Sequence, residues 1–183
     1  MKKIPSLFIR DFDNNPRYVT TNINPVAQWV IDGEGTATRK YDGTCCLIEG
    51  GQLWKRYEVK KGKEAPYGFK LADKDEKTGK QQGWVEVGND SNDKWHREAF
   101  ALKDYEDGTY ELVGPKVQGN PELYEQHELI KHSEATTLSF PRDYESIKKM
   151  MKLTTFEGVV WHHPDGRMVK IKKKDFDYSQ GLE

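Results

Sequence analysis

The sequence predicts an α+β fold made largely of antiparallel sheet, and three observations carry that prediction. Strand-like segments are short and numerous, mixing β-branched, aromatic and alternating residues: "SLFIRDF", "RYVTTN", "ATRKYDG", "TCCLIEG", "QLWKRYEV", "GWVEVG", "TYELVGP", "ATTLSF", "FEGVVWHH" and "RMVKIKKK". Two turn signals join neighbouring strands, Gly50-Gly51 after "CCLIE" and "HPDGR" after "GVVW", and each predicts a hairpin. Helical patterns are fewer. They are "NPVAQWVI" with Pro25 near its start, "SNDKWHREAFALKDY" with Ser91 or Asn92 as cap, and "PRDYESIKKMMKL" with Pro141 near its start and lysines late.

A chain of 183 residues is long enough for one domain with a proper core, so a single compact domain over residues 1–183 is expected. No internal repeat is visible. The stretch "KKGKEAPYGFKLADKDEKTGKQQG" is lysine-rich, punctuated by glycine and poor in aliphatics, and reads as a long exposed, flexible basic loop over about residues 60–82. Lysine and arginine number 29 against 30 acidic residues, so any polyanion site must be a local patch rather than a global field. The N-terminus lacks an apolar signal core, and no apolar run approaches the roughly 20 residues that cross a bilayer, which reads as a cytosolic protein without a membrane partner. Cys45 and Cys46 are adjacent, so on a strand they point to opposite faces and are expected as reduced thiols rather than as a disulfide or a metal site. His162-His163 before Pro164 reads as a turn with exposed imidazoles, Lys55 as a solvent-facing neighbour of Arg56, and Trp84, Trp95 and Trp161 as core.

The stretch "KYDG" places Lys40, Asp42 and Gly43 together just before a strand. Alone it is a turn with an exposed lysine. Further features follow in a definite order: Arg56 in "LWKRYE", Glu111 in "YELVGP", Glu157 in "FEGVVW", and Lys170 with Lys172 in "VKIKKK". Lys170 and Lys172 alternate on a strand and share a face, where Lys40 and Arg56 would complete a cationic clamp for a polyphosphate. Glu111 and Glu157 add the few carboxylates that a magnesium nucleotide needs, because magnesium keeps most of its waters. A lysine set among other cations and a metal holds its proton less tightly, which makes Lys40 a candidate nucleophile at phosphorus. Gly43 lets the turn approach a ligand closely, and Asp42 is placed to orient a ribose hydroxyl or the lysine itself.

This ordered set resembles the covalent nucleotidyltransferase superfamily of polynucleotide ligases and mRNA capping enzymes, with "KYDG", "KR", "ELVG", "EGVV" and "KIK" as its successive motifs. Within it, "GEGTATRKYDGTCC", "LWKRYE" and "YELVGPKVQGNPE" look like the small ATP-dependent RNA ligase 1 family, over about residues 33–174. The resemblance implies one adenylyltransferase domain with antiparallel sheets flanking an ATP cleft; no OB domain is expected after "VKIKKKDF", a departure from the DNA ligases and capping enzymes of the superfamily that favours a minimal ligase. It implies Lys40 as the adenylylated nucleophile with Asp42 and Gly43 in its turn, and Arg56 on the nucleotide or the RNA end. Glu111 would bind the ribose hydroxyls, Glu157 would hold the catalytic metal, and Lys170 with Lys172 would grip the phosphates. Adenine would stack on an aromatic ring, for which Phe140 and Trp161 are the candidates. The implied cofactors are ATP and Mg2+, with Mn2+ as a substitute, and the implied partner is RNA bearing 5′-phosphate and 3′-hydroxyl ends, sealed by a monomer in RNA repair. The rival readings are a nick-sealing DNA ligase, a GTP-using capping enzyme, and, from another class, an inactive nucleic-acid-binding module.

Overall fold

A computed structural model describes residues 1–179 of the chain. In chain order its elements are β1 (Phe8–Asp11), β2 (Asn15–Ile23), α1 (Gln28–Ile31), β3 (Thr36–Lys40), β4 (Thr44–Glu49), β5 (Gln52–Val59), β6 (Lys70–Lys74), β7 (Gln81–Glu86), α2 (Lys94–Phe100), β8 (Gly108–Val113), β9 (Glu128–Lys131), β10 (Thr137–Leu138), α3 (Tyr144–Leu153), β11 (Gly158–His162) and β12 (Met168–Lys172). All strand ladders among the described residues are antiparallel, which bears out the α+β prediction.

The chain divides into two compact units, one of Met1–Lys3 with Asp42–Ala135, the other of Ile4–Tyr41 with the residues from Thr136 onward. The first is a six-stranded sheet in the order β6-β7-β5-β4-β8-β9. Its core gathers Cys46, Ile48, Leu53, Ala99, Tyr110, Leu112, Val117 and Leu129 beneath α2. Gly50 and Gly51 both have positive φ, 57° and 74°, the backbone of a type I′ turn, and β4 and β5 pair around them as the hairpin expected there.

The second unit has a four-stranded sheet, β10-β3-β11-β12, and a β1-β2 ribbon. Trp29, Val30, Ala37, Ile147, Met151, Val159, Trp161, Val169, Ile171 and Phe176 form a separate core. Ile147 and Met151, four apart, are the buried face of α3, and the Asp143 carboxylate caps that helix by accepting the Ser146 N–H at 3.0 Å. The β11–β12 hairpin turns through "HPDGR" as the sequence predicts. The outer edge of β12 is also covered: the Lys170 N–H donates to the Pro5 carbonyl at 2.9 Å, and the Leu7 N–H donates to the Lys170 carbonyl at 2.9 Å.

Three expectations are corrected. The stretch read as a basic loop contains β6, whose Lys70–Lys74 pair with β7, and β7 itself begins at Gln81. The turn before α2 is capped by the Asp90 carboxylate, which accepts the Asn92 N–H at 2.8 Å, so Asp90 takes the place expected of Ser91 or Asn92. Lys55 does not face open solvent; its Nζ donates to Asp93 Oδ1 at 2.6 Å, and Asp93 is 2% exposed.

Burial alone would raise the Asp93 pKa, but hydrogen bonds from Lys55 and the Gly88 amide outweigh it and hold the carboxyl below its ordinary value. A depressed folded-state pKa contributes stability above the unfolded value and loses it as pH falls through the folded one. Asp93→Asn is therefore expected to destabilise the protein by about 2 kcal/mol at neutral pH, with the difference from the parent shrinking in acid. Denaturant midpoints at neutral pH and near pH 3 would measure this, and a gap that does not change with pH would refute it.

Candidate active site

Lys40 ends β3, and the register carries its position across the second unit's sheet: Lys40 lies opposite Gly158 of β11, and Gly158 lies opposite Lys172 of β12. One step along, Thr38, Val160 and Lys170 form the next row. Alternation puts Lys40, Lys170 and Lys172 on one face and Ala37, Val159, Trp161, Val169 and Ile171 on the other, which is the core face. Glu157, just before β11, joins two of the lysines. Its Oε2 accepts from Lys40 Nζ at 2.7 Å, and its Oε1 lies 3.5 Å from Lys172 Nζ. The three side chains are only 20%, 12% and 20% exposed, so the charges interact more strongly than a fully hydrated surface pair.

Gly158 is required here by close approach. A Cβ at this position would come within 2.3 Å of the Ile171 carbonyl oxygen. Arg39, between Thr38 and Lys40, places its guanidinium 4.7 Å over the Tyr41 ring and 5.7 Å from that of Phe156. Trp161, a candidate for adenine stacking, is fully buried. A buried indole on the face away from Lys40 offers no ring surface to a base, and Phe140, the other candidate, is half-buried and packs edge-on against it at 6.2 Å.

The remaining predicted residues belong to the first unit. The Asp42 N–H donates to Glu122 Oε1 at 2.8 Å, and the Gly43 N–H donates to Glu111 Oε1 at 3.1 Å, so successive amides of the turn are held by two carboxylates. A Cβ on residue 43 would meet the Leu112 carbonyl oxygen at 2.0 Å; the close approach that Gly43 permits in this structure is to β8. Glu111 is 8% exposed, and its other oxygen, Oε2, pairs with His132 Nε2 at 2.9 Å. The Arg56 guanidinium lies 5.0 Å from the centre of the Trp84 ring and donates to the Gln82 side chain at 3.4 Å and to the Met1 carbonyl.

Glu122 and His132 were not singled out by the sequence reading. Glu122 lies in a segment where Gln118, Asn120 and Leu123 all have positive φ, a conformation rare outside glycine, and "QGNPE" entered the sequence analysis only as part of the family resemblance, with no role for its glutamate. His132 follows β9 in a short 3-10 turn that carries no sequence motif.

An antiparallel α+β protein that shares one carboxylate between two half-buried lysines on a sheet face has groups suited to phosphoryl chemistry. Comparison with known proteins narrows the class. No family model matches the chain. It is 24% identical to RNA ligase 1 of Danio rerio over 258 aligned residues, which cover 94% of this chain and 79% of that protein. It is 22% identical to the RNA ligase 1 proteins of Pongo abelii and Rattus norvegicus, with the same coverage. The alignments are longer than the chain's 183 residues, so the relatives carry segments with no counterpart here. The chain is thus a distant relative of RNA ligase 1, and the resemblance read from its motifs is borne out at that level.

Proposed function

We propose that the protein is an ATP-dependent RNA ligase that joins a 5′-phosphate to a 3′-hydroxyl through a lysine–AMP intermediate. The observation that carries this reading is Lys40, set on the sheet face with Glu157 and Lys172, in a chain distantly related to RNA ligase 1. In the first step Lys40 Nζ, having given up a proton to solvent, attacks the α-phosphorus of ATP. The N–P bond forms, the bond to the β-phosphate oxygen breaks, and pyrophosphate leaves. In the second, an oxygen of the RNA 5′-phosphate attacks the same phosphorus and the N–P bond breaks. In the third, the RNA 3′-hydroxyl attacks the 5′-phosphate, gives up its proton, and AMP departs.

Lys170 and Lys172 hold phosphate oxygens as charge shifts among them. Glu111 binds the ribose hydroxyls, and Arg56, whose guanidinium lies 5.0 Å from the centre of the Trp84 ring, meets the nucleotide or the RNA end. The donor set around Lys40 fits magnesium, which needs few protein oxygens: Glu157 would hold it through water. Bound there, magnesium would supply charge neutralisation at the phosphate.

The test is incubation with α-labelled ATP, and separately α-labelled GTP, with magnesium, followed by a denaturing gel and an assay of RNA joining. Acid-labile label from ATP together with sealed RNA supports the proposal. Label from GTP moves the protein to capping chemistry, and no label from either leaves a nucleic-acid-binding module.

Exposed Lys60, Lys61 and Lys63 lie in the basic stretch before β6 and are assigned to the RNA backbone. Changing all three to Gln is expected to lower the slope of log affinity against log salt by about 2 for single-stranded RNA. Binding measured across a salt series checks this, and an unchanged slope removes these lysines from the interface.

A further inference from the structure

The ligase reading assigns Glu111 to the ribose hydroxyls, but it does not explain the cluster that this residue makes in the first unit with Cys45 and His132. Cys45, Glu111 and His132 each offer one ligand atom, and these atoms all lie within 4.8 Å of one another. Cys45 of β4 sits directly opposite Glu111 of β8, and His132 reaches in from the turn after β9. We propose that Cys45 Sγ, Glu111 Oε2 and His132 Nε2 form a zinc site with an open fourth position.

The atoms outside the cluster are already committed in the way metal ligands usually are. His132 Nδ1 is hydrogen-bonded to Thr109 Oγ1 at 3.0 Å, which fixes the ring and aims Nε2 at Glu111. Glu111 Oε1 accepts the Gly43 N–H at 3.1 Å, which leaves Oε2 facing His132. Fixing the far atom of each ligand orients the near one and limits what must be reorganised when a metal enters. The Nε2–Oε2 separation of 2.9 Å would open by about half an ångström, because zinc bonds of about 2.0–2.1 Å at a tetrahedral angle set that spacing.

The donors choose the metal. A thiolate, an imidazole and a carboxylate suit zinc or cobalt and are a poor set for magnesium, which prefers oxygen alone. A thiolate and a carboxylate cancel the two charges of the ion, and the thiol proton passes to solvent on binding. Three protein ligands leave one position for water or an incoming oxygen, the pattern of an open rather than a closed structural site. Cys46, the neighbour, is fully buried on the opposite face of β4 and belongs to the core.

The site stands on geometry within one unit and does not depend on the ligase reading. The probe is Co2+ alone, titrated into the chelator-treated 183-residue chain, followed by displacement with Zn2+. One equivalent of Co2+ is expected to give a thiolate-to-metal charge-transfer band and the strong visible bands of four-coordinate cobalt, both removed by one equivalent of Zn2+. Cys45→Ser should abolish the charge-transfer band and His132→Ala should weaken zinc binding at least tenfold, each with an unchanged far-ultraviolet circular dichroism spectrum. Thr109→Val should keep the band and weaken binding about tenfold. Cobalt spectra without the band, or the same band in Cys45→Ser, would overturn the proposal and leave a His132–Glu111 hydrogen bond that braces the Gly43 turn.

Discussion

Replacing Lys40 with alanine is expected to give a folded protein that takes up no label from α-labelled ATP. Lys40 ends β3 on the face away from the core, so truncation opens no internal cavity, and the stability change should stay within about 1 kcal/mol. The chemical loss is of another order. The first step needs a nucleophilic nitrogen bonded to phosphorus, and alanine supplies none, so label incorporation should fall by at least about a thousandfold. Lys40→Arg is the sharper form, because the guanidinium keeps the charge beside Glu157 but cannot lose a proton to act as a nucleophile. It should also be unlabelled. Both variants should still seal RNA whose 5′-phosphate already carries AMP, because the third step does not use the lysine nitrogen as nucleophile. Label retained by Lys40→Arg would sink the mechanism.

Glu157→Gln carries the second large effect, and its sign separates two roles. If Glu157 only pairs with Lys40, its carboxylate favours the charged, non-nucleophilic ammonium, and removing it should speed labelling. If Glu157 holds the metal, its loss should slow labelling by about a hundredfold or more and raise the magnesium concentration needed for half-maximal rate. The proposal expects the second outcome. Single-turnover labelling across a magnesium series measures it directly, and a faster Glu157→Gln enzyme would reduce Glu157 to a counter-ion.

What was legible in the sequence was what local periodicity encodes. The Gly50-Gly51 and "HPDGR" hairpins follow from turn chemistry, and the shared face of Lys170 and Lys172 follows from the two-residue repeat of a strand. β6 was missed because "KLADK" has little apolar alternation, its pairing being supplied by β7 rather than by a buried face of its own. Trp161 was read both as core and as a stacking platform, and only the register that sets it opposite Ala37 and Val169 decides for the core. The Cys45–Glu111–His132 cluster was illegible for a like reason. Its members meet through cross-strand pairing and a turn, and two adjacent cysteines without a spaced ligand motif argue against a metal until that pairing is known.

The division of the chain also has a meaning in time. Apart from Met1–Lys3, the first unit is one uninterrupted stretch, Asp42–Ala135, nested inside a second unit that begins before it and finishes after it. On a ribosome, which delivers the polypeptide from its N-terminus, the nested stretch can close its own core while β3 still waits for β10 and β11. Lys40 is made early, yet the carboxylate it pairs with emerges 117 positions later, and β11 and β12 follow that carboxylate. The proposed nucleophile is thus among the first parts synthesised and the last to acquire its surroundings, so a chain interrupted partway would present the lysine without the groups assigned to work with it.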